Sequence, residues 1–381
     1  MCSVMVISGM HLHRFKRRPP ASIRVLAAPG RTQRGMAVIM ALAVVLLLVG
    51  AALELHMNER SNLLNTAALR DRLTLEQMAA AGVHAAMALL VKDRLESESD
   101  SLQEDWADPE TLAALAEEIA FEQGKLEVHI FDELGKIQIN SLVRFPEGRQ
   151  FNESQRQMWE RFASNLLTAH EDLDESAVPT IINSIKDWLD SGDDEAVTGL
   201  SGAESDYYET LDPPYACKNG PFDDLSEVRL VKGITPEIFS GAGGTAGLGA
   251  YVTPYGAEAS GDQKFTFPGK ININTAELPV LTALLPNEAG DFAPLIVEYR
   301  AALSGSQFTH DLTNINWIKN VPGLADVNID PALISVSTTI FRIVAVAALG
   351  DAQTSITAVV QRLRPSETEP WQCKVLNWKT Q

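Results

Sequence analysis

Cysteine is scarce in this chain: Cys2, Cys217 and Cys373 are the only three in 381 residues, and no two form a CxxC pair. That excludes a disulfide-knit scaffold and the common zinc and dithiol motifs. Acidic residues are absent from the first 35 positions, which hold Arg14, Lys16, Arg17, Arg18, Arg24, Arg31 and Arg34. Charge of either sign is absent from residues 36–53 (MAVIMALAVVLLLVGAAL), and proline from residues 54–95. No GxSxG, HExxH or P-loop pattern occurs, and His129 and His170 stand isolated in the sequence, so no catalytic set can be assembled.

What is present is 45% apolar and 21% charged, ordinary for one or two globular domains. The net charge is −19, and setting aside the seven basic residues of the leader leaves −26 on residues 36–381. So acidic a body repels a phosphate backbone, and no nucleic-acid partner is expected. Residues 271–285 with Val321-Pro322-Gly323-Leu324 have the outline of a helix-hairpin-helix module. Glu277, Glu288, Asp291, Asp311, Asp326 and Asp330 surround it, which favours a packed helical module over DNA binding.

As a helix the uncharged run would extend about 27 Å, just enough to cross a hydrocarbon core of about 30 Å. It passes into Glu54, His56, Asn58, Glu59 and Arg60 without the small-residue step of a cleaved secretory signal, so the sequence predicts a retained anchor. The basic flank then stays in the cytoplasm and the acidic body crosses to the other face. A buried core helix is the competing reading, and it leaves the basic leader without a role. Leu63, Leu64, Ala67, Ala68, Leu75, Met78, Ala79, Gly82, Val83, Ala86, Met87 and Leu90 recur at steps of three and four. They predict that one helix continues for around sixty residues, its outer half amphipathic.

The junction Arg34-Gly35-Met36-Ala37-Val38-Ile39-Met40 resembles the cleavage site of type IV prepilin-like proteins. Further on, Asp187-Trp188-Leu189-Asp190, Gly202-Ala203-Glu204, Tyr207-Tyr208, Pro213-Pro214-Tyr215, Asn219, Pro221-Phe222 and 227–234 (EVRLVKGI) resemble, in order, the central block of the K-type minor pseudopilins of type II secretion. Residues 271–276 (ININTA) and 281–285 resemble that family's second helical module. The resemblance implies that a prepilin peptidase cuts between Gly35 and Met36 and methylates the new N-terminus at Met36. It assigns Val38, Ile39, Met40, Leu46, Leu47 and Leu48 to membrane anchoring and helix assembly. Most members of the wider class carry Glu where Met40 stands; a tip subunit has no neighbour's amine to pair, and an unpaired carboxylate in lipid is costly. The implied partners are the I-type and J-type minor pseudopilins, the pseudopilus, the prepilin peptidase, inner-membrane lipid, and the secretin and secreted cargo. The implied role is to form the tip of the periplasmic pseudopilus in support of protein export. The alternative is a permanently anchored periplasmic binding protein that never enters a filament.

For the rest of the chain, the pattern predicts a short helix at 110–121 and a β-hairpin from two alternating runs, 126–130 and 136–142, around Asp132-Glu133-Leu134-Gly135. Strand patterns return at 333–348, 355–363 and 372–378, with Gly350-Asp351 as a turn. Helices are expected at 151–170, 176–190, 224–231, 236–240, 275–285 and 291–303, with a Gly-rich surface loop at 241–261. The expected fold is α+β: a pilin-like long helix on a small antiparallel sheet, carrying a large inserted helical domain. The expected divisions are a leader (1–35), a membrane segment (36–53), a helix and first hairpin (54–145), the insertion (146–330) and C-terminal strands (331–381).

Asp187, Asp190, Asp193, Asp194, Glu195, Glu204 and Asp206, with Gly192 and Gly199 for loop closure, are candidate Ca²⁺ ligands, and the family resemblance adds to that expectation. The spacing does not fit an EF-hand loop, and a solvated acidic loop is the competing reading. Cys217 and Cys373 would both face an oxidising compartment, as either a disulfide or two separate thiols.

Overall fold

In the computed structural model, residues 34–119, 124–168, 175–192, 197–261 and 264–381 are described. The leader preceding Arg34 lies outside them. Helix α1 runs unbroken through 63 residues, Arg34–Glu96, as the absence of proline allows. The chain divides into two compact units, at Thr66 and Ala67. What is described of the first is the portion of α1 up to Thr66, where Met36, Val38, Ile39, Met40 and 46–48 are all exposed.

In the second unit, the remainder of α1 supplies one wall of a core. Leu75, Met78, Ala79, Val83, Ala86 and Leu90 are buried at helical spacing. They pack with Leu112 and Ala116 of α2 (Pro109–Ile119) on a four-stranded antiparallel sheet. Its strands are β1 (Lys125–Asp132), β2 (Ile340–Leu349), β3 (Ala352–Leu363) and β4 (Gln372–Thr380), in that spatial order. Each of the first three strands alternates as a half-buried sheet requires: Leu126, Val128 and Ile130 in β1, Phe341, Ile343, Ala345 and Ala347 in β2, Ile356, Ala358 and Val360 in β3. Gly82 lets α1 approach β1 closely, since a Cβ there would meet the side chains of Leu126 and Val128 at 3.1–3.2 Å. Gly350, at φ +59°, closes the two-residue β2–β3 turn. A bulge between Val359 and Val360 shifts the pairing with β4.

The expected hairpin is not formed. β1 pairs with β2, while Ile137–Gln138 pairs in parallel with Val252–Thr253 and Ile139–Leu142 forms a 3₁₀ turn. Two physical causes are visible. Residues 137–143 are buried on every side, so they belong inside a core. The Asp132 carboxylate accepts from Leu134 N and from Asn272 Nδ2 and Thr275 Oγ1, which turns the chain into the insertion. Ile137, Ile139, Leu142 and Val143 accordingly sit in the second core, that of the insertion, so the helical domain begins before residue 146. Its end also lies later than 330: Ile334–Ser335 pairs in parallel with Ile271–Asn272, and β2 begins only at Ile340. The Gly-rich stretch is more ordered than expected, with Leu248–Tyr251 helical and Leu248, Tyr251 and Val252 buried.

Arg362 of β3 ties these parts together. It is fully buried, and its guanidinium donates to Leu90 O (3.0 Å), Asp93 Oδ2 (2.8 Å), Asp100 Oδ1 and Thr338 O (3.3 Å). Burial, then the nearby Glu104 carboxylate, push Asp93 up to about 7, against the pull of Arg362, and burial also raises Asp100. Removing the cation leaves two buried carboxylates without it, so Arg362→Met should cost about 3–5 kcal/mol in urea unfolding. The folded state holds a proton on Asp93 at pH values where the unfolded chain has released it. Stability from this group is therefore full below the ordinary aspartate range and is lost as pH rises through about 7. Urea midpoints measured between pH 5 and pH 8 should fall with rising pH, and Asp93→Asn should flatten that slope.

Candidate functional site

After α3 (Glu153–Thr168), helix α4 (Val178–Leu189) carries Pro179 in its first turn and buries Ile181, Ile182, Ile185, Trp188 and Leu189. Its last turn faces an aromatic cluster in which Trp188 stacks on Phe222 (6.1 Å, 14°) and meets Tyr208 edge-on (5.2 Å). This packing fixes Asp187, wholly buried, and Asp190, which ends the helix with its N–H on Lys186 O. The chain then returns over Asp187. Thr198 N donates to its carboxylate (3.1 and 3.2 Å), and Ala203 N donates to Oδ2 (2.8 Å). Gly202 is required there, because a Cβ would collide with Asp187 Oδ2. Lys232 holds the same loop through Ser201 O (3.2 Å) and Gly202 O (3.0 Å).

Asp187, Asp190 and Glu204 are all buried, and one carboxylate oxygen from each lies within 4.8 Å of the others. Lys186 is the adjacent cation, bonded to Asp190 and 4.0 Å from Asp187 Oδ1. Burial raises Asp187 above its ordinary range, opposed by the hydrogen bonds from Thr198. Among the described residues, three carboxylates gather beside the Lys186 ammonium in a sheltered place, and all the donors of the trio are hard oxygens. That set fits a cation such as Ca²⁺.

Of the seven expected ligands, the structure thus brings together Asp187, Asp190 and Glu204. Asp206 is exposed, outside the trio, and Asp193, Asp194 and Glu195 lie outside the described residues. In the sequence Gly202 figures only in the block Gly202-Ala203-Glu204, without a role of its own, and Lys186 and Thr198 are not named; the i,i+4 spacing of Lys186 and Asp190 is the one signal available for Lys186. A second trio, Asp93, Asp100 and Glu104, also escaped notice, and Arg362 already serves it.

Cys217 and Cys373 are not joined to each other. Cys217 lies in the insertion core with its thiol on Asp187 O (3.4 Å), and Cys373 lies against the long-helix core with its thiol on Met87 O (3.6 Å). The disulfide reading is therefore replaced by the two-thiol reading, because each cysteine is committed to a different core. Burial pushes the Cys373 thiol up to about 11.

At the N-terminus, Gly35 and Met36 lie in the first turn of α1, and a Cβ at Gly35 would meet nothing within 4 Å. By length and composition α1 is able to cross a membrane.

A long helix laid on a four-stranded antiparallel sheet, with a helical domain inserted between its first two strands, is a pilin-like fold. Residues 135–242 match the family described as type II secretion system (T2SS), protein K. The type II secretion system protein K of Pseudomonas aeruginosa is 28% identical over 266 residues, which is 69% of this chain and 67% of that protein. That of Aeromonas hydrophila is 27% identical over 165 residues, 43% of this chain and 44% of its own length. In fold, the chain resembles a chain in the crystal structure of the GspK-GspI-GspJ complex from the enterotoxigenic Escherichia coli type 2 secretion system. The TM-score is 0.58 at 19% identity, covering 83% of this chain and 99% of that one. The chain is thus similar, over residues 135–242 and to these relatives, to the type II secretion system protein K family.

Because Gly202 is fixed by the approach of Asp187, Gly202→Ala should cost about 1–3 kcal/mol by urea unfolding. Ser201→Ala, one residue earlier, should cost less than 1 kcal/mol, being outside that close approach.

Proposed function

We propose that this protein forms the tip of a periplasmic pseudopilus with I-type and J-type minor pseudopilins and supports export of folded proteins across the outer membrane. The observation that carries this reading is the junction at the start of α1. The basic leader ends at Gly35, the apolar side chains that follow are exposed, and Met40 brings no carboxylate. Such a helix needs lipid or other helices around it, and an uncharged fifth residue suits a subunit with no neighbour's amine above it. The large insertion between β1 and β2 supports the same place, since a bulky head caps a narrow helical array more readily than it fits inside one. The apolar half of α1 holds the chain in the inner membrane before assembly, with the body in the periplasm. The head faces the secretin and cargo. The protein's role is structural rather than enzymatic.

Ca²⁺ belongs to this proposal as a stabiliser of the head. Asp187, Asp190 and Glu204 would hold it, and the ion would balance their charge where the 197–205 loop meets α4.

Two measurements test these readings. Protein extracted from membranes made with prepilin peptidase should begin at methylated Met36, and Gly35→Val should keep the leader. A leader retained regardless of peptidase would instead indicate a permanent anchor. For the metal, the melting temperature of the full chain in detergent should rise with Ca²⁺, fall with EDTA, and lose that response in Glu204→Gln. A melting temperature indifferent to both additions would remove calcium from the reading.

A further inference from the structure

β1 is an edge strand. It pairs with β2 along one side, and among the described residues no other strand pairs with it along the second. Beside that second edge lies α2, and between them runs a slot of about 420 Å³. Natural edge strands are usually protected by proline, bulges or a covering element. β1 contains no proline and pairs with β2 in unbroken register. Residues 126–131 line the slot in succession, so it follows the strand's edge and not just one of its faces.

The slot is apolar inside and acidic outside. Leu112, Ala116, Val128 and Ile130 form its interior, with Leu102 49% and Phe131 44% exposed at its mouth. Glu117 and Glu127 stand at its rim, and Asp108, Glu110 and Glu118 are close by in sequence. Neither rim glutamate forms an ion pair among the described residues. Lys125 and His129 are the basic side chains on the same strand. A strand edge, an apolar channel and a helix opposite are the parts needed to receive an extended chain. Main-chain hydrogen bonds give such a contact its affinity, and alternate side chains entering the channel give it selectivity.

We propose that this slot receives an extended segment of a neighbouring pilin-like subunit, which adds as a fifth strand beside β1. The segment has apolar side chains at alternate positions and Lys or Arg next to them, to meet Glu117 and Glu127. Charge narrows the choice: an acidic surface like this chain's own would be repelled at that rim. The proposal rests on the assembly reading above and adds the place of contact and the chemistry of the contacting segment.

The test uses the full chain, co-expressed with prepilin peptidase and I-type and J-type subunits and purified in detergent. Ala113, exposed on the slot wall, is changed to Trp to fill the channel; separately, Glu117→Lys with Glu127→Lys reverses the rim. Each variant should keep the wild-type melting temperature and recover about tenfold less partner, a change of about 1.4 kcal/mol in binding. Raising salt should weaken the wild-type complex, because the rim contact is screened. If Ala113→Trp also lowers the melting temperature, the rim double variant decides alone. Wild-type recovery of partners by both folded variants would overturn the slot while leaving the assembly reading intact. Recovery of no partner by the wild-type chain would overturn the assembly reading and the slot with it.

Discussion

A single buried guanidinium organises this fold. Arg362 reaches back from β3 to Leu90 O and Asp93 on α1, to Asp100 in the loop between α1 and α2 and to Thr338 at the entry to β2. Asp100 then passes the connection on: its Oδ2 accepts from Thr338 N (2.8 Å), and its carbonyl accepts from Asn272 Nδ2 (2.9 Å). Asn272 Nδ2 also donates to Asp132 Oδ2 (2.8 Å), at the end of β1. Burying an arginine is costly unless its donors are satisfied, and here carboxylates and carbonyls from three separate segments satisfy them. The end of α1, the loop after it, and the sheet are thereby held in one arrangement that a purely apolar contact would leave free to slide.

The same network explains how a large domain can interrupt a small sheet. The chain leaves the sheet at Asp132, which Asn272 meets, and re-enters near Thr338, which Asp100 meets, and Asn272 is itself bonded to Asp100. Since exit and entry are fastened side by side, β1 and β2 pair through eight residues despite their separation in sequence. Loop-closure entropy rises only slowly with length, so the size of the insertion matters less than how its ends are held. The insertion supplies its own core, and Asn274 completes the seam by accepting from Trp317 Nε1 (2.8 Å) and donating to Leu312 O.

Much of the architecture is legible in local pattern. The unbroken α1 follows from the lack of proline, β1 and β2 from period-two alternation, and the β2–β3 turn from Gly350. The failures share a cause: local pattern does not reveal which surface a segment will face. Residues 136–142 look like the second arm of a hairpin, but from Ile137 onward they are buried in the insertion, and side chains buried on all sides carry no strand period. All three members of the acidic trio stand among the seven candidates in the sequence, but which of the seven meet was hidden for the same reason. Asp187 and Asp190 share a helix turn, whereas the need for Gly202 arises only when the later loop crosses Asp187. The two cysteines could not be assigned from spacing, because bonding depends on which core each one enters.

The apolar half of α1 places a constraint on any assembly this chain enters. Its side chains are exposed in the isolated chain, so they need either lipid or the helices of other subunits. Moving from one apolar surrounding to the other changes their hydration little, so a subunit can leave the membrane without a large hydrophobic penalty. A buried carboxylate would alter that balance, since it is tolerated only where a cation waits to pair with it. With Met40 in that position, the transfer needs no partner amine at either end. Under the tip reading, the K-type subunit can therefore lead the filament out of the bilayer, and subunits bearing a carboxylate follow once there is an amine for them to meet.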